Sequence, residues 1–385
     1  MGIKNLQKFL DNHIPNTTGI RDINVSTLAD RVIAIDISIY LYQYACAIVE
    51  NLVNQDGEVI THIQAIIVKS LGFLKKKIKP IFVFDGSPPE HKNETLDDRS
   101  KKKKQAKNAV KEYDKQIKEL YESMMETPTT VEEINNQLEF MEQVKVLKKK
   151  KITASKQTIG ISKKQMNECK ELLRILGIPV VEAPSEADPQ CMHIVNTGNA
   201  YAVASEDMDI LTFGTKKLIR KLTSGNKCRL YDLDIILRDL DVTHDQFIDI
   251  CILLGCDYTG TLPGLGLKRI YRAIKDNGNI EGYIAKYNVQ VPESFDYITA
   301  RNCFKNPQVI DVNDITWNIP NYNELSRVLK EKYSYSHDEV DRLTNILRGG
   351  YYSVICGEKT IKQYKTHCSN YIRKKELNIM DSDED

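Results

Sequence analysis

Two short runs, Arg31-Val-Ile-Ala-Ile-Asp36 and Pro80-Ile-Phe-Val-Phe-Asp85, share one design: apolar, β-branched or aromatic, and closed by an aspartate. Runs of this length and composition read as strands buried on both faces. Between them Ile63, Ile66, Ile67, Leu71 and Leu74 recur at the spacing of one helical face. A strand, a helix and a second strand of the same kind indicate a parallel pair joined by a crossover. Ile178-Pro-Val-Val181 follows another amphipathic segment (Met166, Cys169, Leu172, Leu173, Leu176), and Tyr201-Ala-Val-Ala-Ser205 follows the helix after it. The expected fold is therefore α/β, with a mostly parallel central sheet flanked by helices on both faces.

With 385 residues, 41% of them hydrophobic and 28% charged, the chain can bury a substantial core, which rules out disorder throughout. Its 54 Lys plus Arg against 53 Asp plus Glu leave a net charge of +1, so affinity for a polyanion must come from how charge is distributed. No stretch approaches the roughly 18 to 20 apolar residues of a spanning helix. Lys4, Lys8 and Asp11 interrupt the N-terminus where a signal peptide needs an apolar run, and Leu6 stands where a myristoylation site needs Ser or Thr. The expectation is an intracellular protein with no membrane partner. The nine cysteines, from Cys46 to Cys368, form neither CxxC pairs nor zinc spacings and read as reduced thiols.

Residues 90 to 160 have a different character, rich in Lys, Glu and Gln, and read as a helical insertion. Thr127-Pro128 breaks it, and Thr130 with Glu133 forms a capping box that starts a second helix toward Lys151. Its lysine runs, Lys101 to Lys104 and Lys148 to Lys151, read by themselves as a solvated helix face or a disordered loop. From Val242 the pattern is helical, with Phe247, Ile250, Cys251 and Leu254 on one face; residues 279 to 325 read as connections and short elements, with helical segments at 322 to 347 and 359 to 372. The tip Asp381 to Asp385 reads as disordered. The resulting division is an N-terminal region 1–98, an insertion 99–160, an internal region 161–345 and a C-terminal extension 346–385.

Acids fall where such a sheet would gather them. Asp36 and Asp85 end strands, Glu206-Asp-Met-Asp209 follows another, Ser185-Glu-Ala-Asp188 follows Val180-Val181, and Asp257 closes Cys251-Ile-Leu-Leu-Gly-Cys-Asp257. Open α/β sheets bind ligands beyond the carboxyl ends of their strands, so Asp36, Asp85, Glu186, Asp188, Asp207, Asp209 and Asp257 are candidates for one cleft. Each also has a plainer reading: Ser185 with Asp188 is a capping box, and an acid after a strand is often a turn residue. Their coincidence is what counts. Two carboxylates about 5 Å apart at an effective dielectric near 20 repel by roughly 3 kcal/mol, which points to neutralising cations. All-oxygen donors suit Mg²⁺, with Mn²⁺ as the substitute, and this many acids suit two ions, the arrangement for in-line attack of water on a phosphodiester. Lys92 and Arg99, seven residues apart after Pro88-Pro89, share a helix face from which they could reach the scissile phosphate.

After Asp257 comes Leu262-Pro-Gly-Leu-Gly-Leu-Lys-Arg269, a Gly-x-Gly turn leading into Ile270, Ala273 and Ile274. Gly264 and Gly266 let backbone N–H groups approach a phosphate, and Lys268 and Arg269 add charge at a helix start. With the helix before it, the segment (about 250–275) reads as a helix-hairpin-helix gripping a duplex without reading sequence, or as a structural turn.

In chain order these motifs resemble the structure-specific 5′-nuclease superfamily, and most closely the flap endonucleases of eukaryotes and archaea. The resemblance rests on Met1-Gly-Ile, Ala34-Ile-Asp36, Phe82-Val-Phe-Asp-Gly86 with Pro88-Pro89, Arg99-Ser100, Ala183-Pro-Ser-Glu-Ala187, Glu206-Asp-Met-Asp209 with Leu211-Thr-Phe-Gly214, and Leu254-Gly-Cys-Asp-Tyr258 ahead of Gly264-Leu-Gly266. It implies that the seven acids are ligands of two metal ions, that Lys92 and Arg99 act at the scissile phosphate, and that a nucleotide stacks on Tyr42. It also implies that Gly2 lies beside the active site, that the insertion is a helical arch passed by the 5′ single strand, and that the hairpin holds duplex with the help of K⁺. The implied protein is a monomeric flap endonuclease with 5′ to 3′ exonuclease activity, acting on branched DNA carrying a 5′ flap, in replication and repair, in the nucleus or another replication compartment. An exonuclease or a junction or bubble nuclease of the same superfamily is the alternative; a noncatalytic DNA-binding scaffold has no use for so many acids.

Four departures from the family pattern stand out. Asp188, followed by Pro189, replaces the usual Glu; Cys256 stands where Ser is frequent at the potassium site; the arch is longer than usual around 125–155; and Gln363-Tyr-Lys-Thr-His-Cys368 does not fit the peptide that docks on a sliding clamp, so the clamp is not carried over as a partner.

Overall fold

The computed structural model describes residues 2–48, 52–87, 93–122, 131–222 and 225–355, leaving aside the side chains of 93–99, 131–139 and 350–355. Seven strands form one sheet: β1 Ile20–Asn24, β2 Val32–Asp36, β3 Lys79–Phe84, β4 Val180–Glu182, β5 Ala202–Ala204, β6 Lys217–Arg220 and β7 Lys227–Asp232, in the order β1-β7-β6-β5-β2-β3-β4. From β6 to β4 all neighbours are parallel, with Ile35 opposite both Phe82 and Ala204. β7 runs antiparallel to β6 and to β1. The four strands read from apolar runs are all present. The three strands at the other end of the sheet, β1, β6 and β7, have no such run, because Arg21, Asp22, Lys217, Arg220, Lys227 and Arg229 interrupt their apolar residues.

The helices, in chain order, are α1 Leu6–His13, α2 Ile37–Ala47, α3 Thr61–Lys75, α4 Asn93–Glu122, α5 Val131–Thr158, α6 Lys163–Ile175, α7 Ala187–Asn196 and α8 Asp209–Thr212. They continue with α9 Leu233–Leu240, α10 His244–Leu254, α11 Leu267–Asn277, α12 Ile280–Tyr287, α13 Tyr297–Lys305, α14 Tyr322–Glu331 and α15 His337–Ile355. Successive strand residues face opposite layers, as the two-residue period of a strand requires. Ala34, Ile81, Val83 and Val203 pack with α1, α7, α10 and α11, whereas Ile33, Ile35, Phe82 and Ala204 pack with α3, α6, α14 and α15. Trp317, in the extended stretch before α14, donates its indole N–H to the Pro80 carbonyl (3.0 Å) and so ties that stretch to β3. α15 runs through position 345, where the sequence suggested the C-terminal extension would begin.

The insertion is an antiparallel hairpin of α4 against α5, with Lys151 pairing Asp114 across it. Ala106 and Val144 are its buried apolar residues among those described, so it projects as a thin, solvated two-helix element. The capping box expected at Thr130 and Glu133 lies outside the described residues, as does the helix expected at 359–372. α10 starts on a Thr243/Gln246 capping box, and after the loop 255–266 α11 begins from Gly266 and packs back on α10. Among the described residues no helix is long and apolar enough to cross a membrane.

Candidate active site

β2 lies between β3 and β5, so the crossovers leave it in opposite directions and a crevice opens at the carboxyl ends of β2 and β5. Asp36 is the last residue of β2 and the N-cap of α2; its Oδ1 accepts the Ser38 N–H at 2.9 Å, and the side chain is buried. Asp36 thus caps a helix as well as ending its strand, where the plainer reading of the sequence was a turn residue. The Ser38 hydroxyl donates to Asp85 Oδ2 at 2.6 Å, and Asp85 Oδ1 accepts the Ala187 N–H at 2.9 Å. One serine and one backbone amide therefore join the ends of β2 and β3 to the first turn of α7.

Glu186 is the N-cap of α7, without a side-chain cap bond, and Asp188 follows in the first turn. The Ser185/Asp188 capping box does not form, because the helix starts one residue later than that box requires; Pro189 falls at its third position, where no intrahelical N–H is needed. Tyr258 donates its hydroxyl to Glu186 Oε2 at 2.6 Å, its ring edge-on to Phe304 at 5.0 Å. Gly86 is held against the same loop: a Cβ there would stand 2.1 Å from the Ala183 carbonyl oxygen.

On the β5 side, Asp207 Oδ1 accepts the Asp209 N–H at 3.1 Å, and Asp209 Oδ1 accepts the Ile3 N–H at 2.5 Å. Gly2, at φ 83°, lies so close that a Cβ would meet Asp207 Oδ1 at 2.1 Å and Asp209 Oδ1 at 2.9 Å. Gly2 therefore sits against Asp207 and Asp209. Glu206 turns away, accepting the Lys221 N–H at 2.7 Å.

The electrostatics show which acids share one field. Burial pushes Asp36 up to about 8, with Asp85 and Asp207 adding to the effect and the Ser38 N–H opposing it. Burial also raises Asp188 well above the usual carboxylate range, reinforced by Asp36, Asp207, Asp209 and Asp85. Five of the seven candidate acids thus act on one another, which is the cost of crowding like charges out of water. Glu186 accepts the Tyr258 hydroxyl, and Asp257 lies one residue before that tyrosine.

Two observations bear on a metal. Asp188 Oδ1 is buried without a hydrogen-bond partner, a costly arrangement for an oxygen that has no cation to face. The donors are all oxygens, which fits a hard divalent ion. Among the described residues no three acids stand close enough together to enclose an ion as they are, consistent with their repulsion and with the bonds that Ser38, Ala187 and Tyr258 make to them.

The remaining candidates lie around this centre. Tyr42 is 44% exposed on α2, its hydroxyl 3.4 Å from the Lys156 carbonyl oxygen at the foot of α5. Arg99 is on α4, its side chain not described, while Lys92 precedes the helix and lies outside the described residues, so the face expected to carry both is not described. Gly264 and Gly266 have open space around them, and Lys268 and Arg269 are exposed in the first turn of α11. Cys256 is buried, and that burial pushes its thiol up to about 11. Sequence reasoning missed Ser38 and Tyr258, which hold the acids; their signal was no more than adjacency, two residues after Asp36 and one after Asp257.

The chain matches the family models of the XPG N-terminal domain over residues 1–106 and of the XPG I-region over 177–257. It is 36% identical over 372 residues to flap endonuclease 1 of Plasmodium falciparum, covering 90% of this chain and 52% of that one. It is 34% identical over 352 residues to flap endonuclease 1 of Danio rerio, covering 88% and 84%. The chain thus spans about half the length of the Plasmodium falciparum relative. Among solved structures, flap endonuclease-1 from Methanococcus jannaschii superposes with a TM-score of 0.62 at 27% identity, over 90% of this chain and 98% of that one. The catalytic core of Rad2 in complex with DNA substrate gives 0.64 at 21% identity, over 90% and 100%, and shows a shared fold.

Proposed function

The chain belongs to the flap endonuclease family, and from that premise we propose that it is a structure-specific 5′ flap endonuclease, hydrolysing a DNA phosphodiester near the junction of single strand and duplex in replication and repair. The observation that carries this reading is the crowding of Asp36, Asp85, Asp188, Asp207 and Asp209 at the switch point of the sheet, where burial and mutual repulsion push Asp36 and Asp188 upward. Such an arrangement is unfavourable unless cations neutralise it.

Two Mg²⁺ ions, with Mn²⁺ as the substitute, fit the oxygen donors of these acids with Glu186 and Asp257; when bound they supply activation of water and neutralisation of charge at the phosphorus. The chain's own residues do the rest. Ser38 fixes Asp36 against Asp85, and Tyr258 fixes Glu186, so the oxygens keep their aim. Lys92 and Arg99 stabilise charge developing on the phosphoryl group and the leaving oxygen. Tyr42 offers an exposed ring to the base beside the scissile bond. The backbone of Gly264 and Gly266, with Lys268 and Arg269, holds one strand of the duplex without reading its sequence, K⁺ assisting at that turn. The α4/α5 hairpin stands over the path of the 5′ strand.

The deciding experiment is cleavage of a 5′-labelled double-flap DNA beside nicked-duplex and bubble controls, in Mg²⁺ and in chelator, with wild type and Asp207→Asn. A single product at the flap base, lost with chelator and with the variant, is expected. Digestion of the nicked duplex with the flap left uncut would move the chain to the exonuclease branch. Tight binding without any cutting would overturn the catalytic reading.

A further inference from the structure

The outer part of the α4/α5 hairpin carries a groove of about 670 Å³ that the proposed reaction does not use; its walls include Tyr121, Phe140, Met141, Lys145, Lys148 and Lys149. Met141 is 62% and Tyr121 50% exposed, far more than large apolar side chains need be on a helix pair. Tyr121 and Phe140 stand edge to face, centroids 5.6 Å apart. Lys148 Nζ lies 3.2 Å from the Tyr121 hydroxyl and 5.6 Å from its ring centroid. The ion pairs of the hairpin among the described residues, Lys115–Glu119, Lys118–Glu122 and Lys151–Asp114, leave Lys145 and Lys149 outside them. A second groove of about 500 Å³, lined by Lys102, Tyr113 and Lys150, shares Lys149 with the first and leads back toward the start of α4.

Two edge-to-face rings walled by lysines, with Glu142 the acid among the lining residues, complement an anion that carries flat apolar faces. A protein partner would need acidic side chains to meet those lysines, whereas a nucleic acid strand brings both components at every nucleotide. We propose that this outer groove is a single-strand DNA site, in which one base stacks on Tyr121 beside Phe140 while Lys145 and Lys149 hold the adjoining phosphates. Tyr121 is 22 residues beyond Arg99 on α4, or ~33 Å along the helix axis. Short 5′ strands therefore end before the groove and longer ones reach it, which gives the long hairpin a role in measuring flap length. The inference rests on the flap reading only for the source of the strand.

The test uses the full chain in chelator with a fluorescein-labelled oligothymidylate of about 30 nucleotides, long enough to follow the ~33 Å path, its anisotropy followed across salt. Tyr121→Ala is expected to weaken binding about tenfold, with Tyr121→Phe restoring it. Lys145→Ala/Lys149→Ala is expected to weaken it similarly and to flatten the slope of log affinity against log salt by about 1.4, two phosphate contacts' worth. Unaltered far-UV circular dichroism checks that the hairpin still folds. A double flap bearing 5-iododeoxyuridine should crosslink to Tyr121 or Phe140 when the label is far from the junction, and not when it is next to it. Wild-type affinity and salt slope in every variant, or crosslinks confined to the cleft, would overturn the proposal and leave the groove to a protein partner. Because binding is read without cleavage, an uncut double flap together with Tyr121-dependent binding would sink the nuclease reading alone.

Discussion

Asp36 concentrates the residue-scale argument, since it is buried, caps α2, and feels both Asp85 and Asp207. Replacing Asp207 by Asn removes one of those charges and keeps an oxygen for the Asp209 N–H. Cleavage is expected to fall below detection, while the metal-free melting temperature stays level or rises; a drop of several degrees in chelator would contradict the repulsion argument. The pH dependence follows from the same group, whose ordinary value of 3.8 is raised to about 8 in the fold. The folded state holds that proton where the unfolded chain has lost it, so the stabilisation is complete below the unfolded value and disappears as pH rises through the folded one. Asp188 acts in the same direction. Calorimetry in chelator should show the melting temperature falling from about pH 4 to about pH 8, and Mg²⁺ should flatten that fall. Tyr258 acts through Glu186: Tyr258→Phe keeps the ring and loses the donor, so the Mg²⁺ concentration for half-maximal cleavage is expected to rise about 10- to 100-fold. An unchanged Mg²⁺ titration would mean that Glu186 needs no such support.

Among elements, the helix pair α10 and α11 depends on what lies behind it. Arg301 of α13 donates to Asp249 of α10 at 2.7 Å and to Glu281 of α12 at 2.8 Å, and Asp249 Oδ2 also accepts the Ile280 N–H at 3.1 Å. Burial raises Asp249 while Arg301 pulls it down, so removing the guanidinium leaves an uncompensated buried carboxylate. Arg301→Ala is expected to cost about 3 to 5 kcal/mol, read by denaturant titration, and Arg301→Ala/Asp249→Asn should recover part of it. Equal losses in the single and double variants would mean that packing, not charge, was lost. None of these three partners could be matched from sequence, because they come from separate helices that meet only in the fold.

For the whole molecule, the two layers on the sheet and the projecting hairpin differ in how much apolar surface they bury. The single tryptophan is anchored to β3 through Pro80, whereas α4 and α5 contribute much of the helix and bury Ala106 and Val144 among the described residues. Urea unfolding is therefore expected to be non-coincident, helix signal falling before tryptophan fluorescence, with fast hydrogen exchange along α4 and α5. Superimposable curves would show that the hairpin is held by more than these contacts. Four of the parallel strands and the acids after them are legible in local patterning, because strands buried on both faces must be continuous apolar runs and a polar residue can appear only where the strand leaves the core. So are the helical insertion and the Gly-x-Gly turn, whose signals are local. That Asp36 and Asp207 face one crevice, that Ser38 and Tyr258 hold the acids, and that Ile20 of β1 pairs with Tyr231 of β7 emerges only in the folded chain. Those outcomes depend on strand order and side-chain reach between distant segments, and local periodicity carries no record of either.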